Sequence, residues 1–231
     1  MMSGMLRFVA DDLQIMALTF MGIVYILRIR WLLRFKPGRE RQAPTGSPDT
    51  SSFKGIIYSW GNIAMPWAME STRHKLFFYA QFVLFHLAVA ASITMSFIIP
   101  YAPGLIKPMV LVRGLQGLFA AGGLIGCYRL YRRLTNPYIR QISTPDDIFS
   151  LLLLIAWFFV SLGAAPNRPD QGEGPLLIYF IMTAFFLVYV PFSKISHYLY
   201  YPFTRYYFGK SMGYRGVYPI KRGPQSTPHK V

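Results

Sequence analysis

Four histidines are the residues of this 231-residue chain best suited to chemistry, and their settings differ. His86 lies well inside an apolar run, FYAQFVLFHLAVAAS, where an ionisable side chain is costly enough to be a functional candidate by default. His197 follows another apolar run in PFSKISHYLYYPF, His74 precedes the run that holds His86, and His229 is in the tail. Two imidazoles from facing helices hold the iron of a b-type haem from both sides, while apolar side chains enclose the porphyrin. His86 and His197 are the natural pair for such a site. Around His86, Ala88, Ala90, Ala91 and Ser92 are small enough to leave room for a flat macrocycle. A lone histidine in a membrane can equally serve to hydrogen-bond a neighbouring helix.

Depth sets a condition on that pair. With a second helix that starts near Lys75, His86 lies about 16 Å along it at 1.5 Å per residue, whereas His197 is about 33 Å from Pro175. Helix tilt, or first turns that project into the cytoplasm, would bring the two levels together. Otherwise His74 matches His197 better, and it stands as the second choice. Two cations accompany the histidines. Arg113 lies within the third apolar run, where it can meet a haem propionate, a quinone carbonyl or a backbone carbonyl, or snorkel to the outer face. Lys194, one turn before His197, can pair with a propionate or anchor the chain at the surface. The single cysteine, Cys127, makes neither an internal disulfide nor an iron–sulfur site alone and reads as a buried small apolar residue. No Gly-rich phosphate loop, nucleophile elbow or Cys/His set at zinc spacing occurs, so chemistry beyond electron or proton transfer is not expected.

The elements that must position these groups are membrane helices. The chain is 53% hydrophobic and 14% charged, and its charges are clustered rather than spread as on a soluble domain. Five apolar stretches, 13–33, 76–99, 108–130, 147–164 and 175–197, approach the roughly 20 residues that cross about 30 Å of hydrocarbon. They lack strand alternation and must satisfy their own backbone in lipid, so an all-α, five-helix transmembrane bundle over 1–199 is predicted. A loop, 34–75, and a basic tail, 200–231, complete the chain. Thr144, Pro145 and Asp147 supply a cap, a first-turn proline and an acid for the fourth helix. Pro100 and Pro103 separate the second helix from the third, and Gly114, Gly117, Gly122, Gly123 and Gly126 suit the third to close packing.

Of the 24 Lys and Arg, nine lie from Arg28 to Lys75, four from Arg129 to Arg140 and seven from Lys194 onward. The opposite side holds only Arg7, Lys107 and Arg168, so the basic side is assigned to the cytoplasm and the N-terminus to the periplasm. The net charge of +15 is accordingly loop chemistry, not a nucleic-acid surface. The uncleaved first helix, with its arginines at the far end, marks a multi-pass protein. Residues 36–60 are Pro, Gly and Ser rich and read as a cytoplasmic loop. The tail suits the anionic inner leaflet, an acidic cytoplasmic subunit or solvent.

The run GLIGCYRLYRRLTNPYIRQISTPDDIFSLLLLIAWF, with PFSKISH and the LFH at 84–86, resembles the respiratory nitrate reductase gamma subunit family, five-helix cytochromes b. Size and architecture are most similar to the small cytochrome-b-like membrane subunit of the high-molecular-weight cytochrome c complex of sulfate reducers. The resemblance implies a haem b electron-transfer subunit, not a stand-alone enzyme, in the inner membrane of an anaerobically respiring bacterium. Its expected partners are menaquinone, a cytoplasmic iron–sulfur subunit, other membrane subunits and a periplasmic multihaem cytochrome c. His86 and His197 match the ligands of the haem nearer the cytoplasm, whereas Ser96 and Tyr179 stand where a second pair is expected. One haem is therefore implied. A cofactor-free membrane anchor that docks redox subunits is the alternative.

Overall fold

The computed structural model describes residues 3–36, 38, 40–68 and 70–220; the end of the tail, 221–231 with His229, lies outside them. Ten α-helices occur among the described residues: α1 (Gly4–Ala10), α2 (Asp12–Leu33), α3 (Ser52–Gly61), α4 (Glu70–Arg73), α5 (Leu76–Tyr101), α6 (Met109–Thr135), α7 (Pro137–Gln141), α8 (Pro145–Ala164), α9 (Gly174–Tyr189) and α10 (His197–Tyr214). The five spans Gly4–Leu33, Leu76–Tyr101, Met109–Thr135, Pro145–Ala164 and Gly174–Phe192 are long and apolar enough to cross a membrane. This is an all-α, multi-pass membrane protein. Two compact units divide the chain, one formed by Met1–Leu32 with Ala80–Ser196, the other by Leu33–Tyr79 and the residues from His197 onward.

In the first unit α6 packs on α8 and α8 on α9. Small residues govern the approach, because lipid offers no hydrophobic gain between helices and contact area comes from backbones drawing close. A methyl carbon added at Gly122 would lie 2.7 Å from Ala88 Cβ, and one at Gly126 2.6 Å from Ile155 Cγ1. Gly114 and Gly117 face open space instead, so only the later glycines of α6 form the predicted contact. Cys127 is exposed on α6, not buried. Polar links tie α1 and the start of α2 to α5 and α9. Buried Gln14 donates to Val9 O at 3.0 Å and to Phe180 O at 2.8 Å, Tyr101 donates to Asp11, and Ser3 N donates to Glu173 Oε1 at 2.6 Å. Pro100 is accommodated inside α5, which runs on to Tyr101.

The fifth span ends sooner than predicted. Pro191 lacks an N–H and its ring opposes the carbonyl four residues back, so α9 closes at Tyr189 and gives way to 3₁₀ turns at Val190–Phe192 and Lys194–Ser196. His197 thus opens a new helix, α10, instead of closing the fifth span.

The described residues of the second unit form packed helices, although their sequence reads as loop and tail. Helices α3 and α10 pack along their small residues. A methyl carbon at Gly55 would lie 2.5 Å from Gly213 Cα, and one at Gly209 2.6 Å from Gly55 O. Gly46 N and Ser47 N donate to the carbonyls of Arg215 and Gly216 at 3.1 Å each, and Thr50 Oγ1 donates to Gly213 O at 2.8 Å. Trp60 Nε1 donates to Pro202 O at 3.0 Å. The Arg215 guanidinium donates to Glu40 Oε2 at 2.8 Å and the Ser211 hydroxyl does so at 3.0 Å, which together hold the Glu40 carboxyl below its ordinary range.

Candidate functional site

His86 sits on α5, and its exposed ring packs beside Phe82 and Phe85, with centroids 4.2 and 6.1 Å away. Its Nδ1 lies 2.7 Å from Phe82 O. A carbonyl oxygen only accepts, so Nδ1 carries the proton and, in the neutral ring, Nε2 is the basic nitrogen. This is the arrangement in which histidines ligate metals, with the second ring nitrogen bonded to a carbonyl that fixes tautomer and orientation.

Beside it, Phe85 is buried against Phe158 with ring centroids 5.2 Å apart. The Arg129 guanidinium of α6 lies 5.3 Å over the face of Phe85. Arg129 was not among the predicted site residues because it reads as one more member of a basic helix end. Its signal was its spacing, three residues after Gly126, which shares a helix face with it and lies close to Phe85.

Small residues near His86 divide between two roles. Ala88 and Ser92 belong to the core, Ala88 against Gly122 and Ser92 Oγ bonded to Ser161 Oγ at 3.1 Å. They are therefore not space for a macrocycle, whereas Ala90 is exposed. Tyr179, fully buried, donates its hydroxyl to Ser92 O at 2.6 Å, and Thr183 links Tyr179 O to the Trp157 indole. The level of Ser96 and Tyr179 is a packed, hydrogen-bonded core.

Lys194 is bonded within the chain. Its ammonium donates to Asp147 Oδ2 and Thr144 Oγ1 at 2.8 Å each, and its backbone N–H to Asp146 Oδ2 at 3.0 Å. Tyr189 donates to Asp146 at 2.6 Å, Thr144 N–H to Asp147 at 2.8 Å in half of a capping box, and Arg133 lies 3.7 Å from Asp147. The STPDD and PFSK segments thus form one clamp at the start of α8. His197 directly follows the turn that the clamp holds and is exposed at the head of α10. His74 accepts from Arg73 Nε on its own Nε2 at 3.0 Å.

Arg113 serves a different place. Phe85 packs beside Gly126, thirteen residues along α6 from Arg113, about 20 Å at 1.5 Å per residue. Arg113 instead donates to Gln116 Oε1 at 3.1 Å and, with Lys107, Asn167, Arg168 and Gln171, lines a cavity of about 420 Å³. No group of three or more His, Cys, Asp or Glu fit to hold a metal ion occurs among the described residues. No family model matches the chain, and neither a curated protein nor a solved structure matches it.

Proposed function

We propose that this chain is the haem b membrane subunit of an anaerobic respiratory complex in a bacterial inner membrane, with its N-terminus in the periplasm. It passes electrons between menaquinone, or a membrane or periplasmic redox partner, and a cytoplasmic iron–sulfur subunit. The observation that carries this reading is the Nδ1–H of His86 on Phe82 O, which makes Nε2 the ligating nitrogen. His197 is the second ligand and the haem, when bound, supplies a one-electron iron couple. Phe82 orients the His86 ring and raises its basicity. Arg129 adds positive charge on the neighbouring helix, which favours the reduced state. The packed core around Tyr179 favours one haem over two.

A reduced-minus-oxidised spectrum of the purified full chain, expressed with haem in excess, tests the proposal. A b-type α band is expected, lost in His86→Ala and in His197→Ala and retained in His74→Ala. A band that survives His86→Ala but not His74→Ala would transfer the ligand role. A flat spectrum in the wild type leaves the second reading, a cofactor-free anchor that docks redox subunits. One observation favours that reading: the PFSK lysine bonds to Asp147 and so serves to hold the start of α8.

A further inference from the structure

We propose that the cavity lined by Arg113 binds the phosphate of an anionic phospholipid, a role that goes beyond electron transfer and does not depend on it. Three of the four cations outside the basic side of the sequence, Lys107, Arg113 and Arg168, line this one space of about 420 Å³. None of the three has a carboxylate at ion-pair distance among the described residues, and only Arg113 has a polar side-chain partner, the neutral amide of Gln116. Like charges brought together without a counter-ion repel, so the cavity is complementary to an anion. The start of α6 adds to this. Pro108 caps no amide with its side chain, and the partial positive charge of a 27-residue helix is left at Lys107 and Met109, which also line the cavity.

Two observations narrow the anion. Asn167 lines the cavity with its Oδ1 buried and unpartnered, an acceptor that a phosphodiester, which carries no proton, cannot satisfy but a headgroup hydroxyl can. Beside the cavity, Leu105 in the turn before α6 and Met109, Val110 and Leu111 at its start are exposed, Val110 at 86%, and offer apolar surface for acyl chains where a span long and apolar enough to cross a membrane begins. A phosphodiester with a hydroxyl-bearing headgroup, phosphatidylglycerol, meets all these demands. A neutral quinone ring would leave the three cations unbalanced.

Native mass spectrometry of the full chain in neutral detergent tests the assignment, with phosphatidylglycerol, phosphatidylcholine, menaquinone and inorganic phosphate offered separately. A phosphatidylglycerol adduct that outcompetes phosphatidylcholine is expected. Lys107→Gln, Arg113→Gln and Arg168→Gln should each weaken it about fivefold, as for single cations at an anionic surface. Arg140→Gln, at a cation on α7 past the other end of the third span, should not, and Arg113→Lys should keep most of it. Equal affinity for the two lipids, or binding indifferent to all three neutralisations, overturns the proposal. So does an adduct with inorganic phosphate but none with lipid, or menaquinone bound through these same side chains.

Discussion

The two units use glycine against different neighbours, and the difference shows which contacts can yield. On α6, the atoms nearest an added methyl at Gly122 and Gly126 belong to the side chains of Ala88, Phe158 and Ile155, of which the isoleucine has rotamers to change. Between α3 and α10 the nearest atoms at Gly55 are the carbonyl of Gly209 and the Cα and N of Gly213, all backbone. Side chains shift at a modest cost in strain, whereas backbones in regular helices move only as whole elements. The helical pair of the second unit is therefore the more brittle assembly, although it is the shorter.

The largest effect should follow from Gly55→Ala. With no side chain to rearrange, α3 and α10 must separate, at about 3 kcal/mol, the upper range for overpacking. Hydrogen exchange of the full chain is expected to lose protection across 52–61 and 197–214, while α6 and α8 keep theirs. Retained protection at both segments would show that the contact yields after all, and the contrast between the units would be lost.

Gly126→Ala comes next, at about 1 to 2 kcal/mol, because Ile155 can turn away from the new methyl. Gly114→Ala serves as its partner measurement. Nothing lies within 4 Å there, so the substitution should be neutral or stabilise α6 by up to about 1 kcal/mol through helix propensity. Thermal unfolding of both variants in one detergent checks the pair. A Gly126→Ala midpoint as low as that of Gly55→Ala would erase the distinction between side-chain and backbone neighbours.

The membrane spans were legible because apolar runs of this length leave little choice of structure in lipid, and Thr144 and Asp147 marked the start of α8 correctly. Pro191 stood in plain view, yet the hydrophobic run around it hid its power to end α9 and so detached His197 from the fifth span. The α3–α10 pair was missed for a compositional reason. Ser51, Gly55 and Ser59, like Gly209 and Gly213, recur every four residues, the same small-residue spacing that was read on α6, but Pro-rich and Tyr-rich surroundings masked it. Of the candidate site, the placement of His86 within an apolar helix was legible and its tautomer was not, since that depends on a 2.7 Å contact inside one helical turn. Lys194 and Asp147 are 47 positions apart, and no local pattern announces a bond over that distance. The three cations around one cavity come from the α5–α6 connection, the start of α6 and the α8–α9 connection, which only the fold brings together.

The smallest effect concerns one carboxylate in each unit. Glu40 is held below its ordinary value of 4.5 first by the Arg215 guanidinium and then by Ser211, and Glu173 is held low mainly by the Ser3 hydroxyl and amide. For both, a depressed folded value means that the stabilisation is complete above the ordinary carboxylate range and fades as pH falls through the lower, folded one. Acid alone therefore loosens both sites. Salt separates them, because a charged pair at the surface is screened and a hydrogen bond to neutral donors is screened far less. At neutral pH, about 1 M salt, where the screening length is about 3 Å, should speed exchange of the Gly46 and Ser47 amides beside Arg215 while the amides of α1 stay as they were. Glu40→Gln should reproduce that acceleration without salt and remove any further response to it. An equal response to salt at both sites would mean that Arg215 acts on Glu40 as a plain hydrogen-bond donor, with its charge of no consequence.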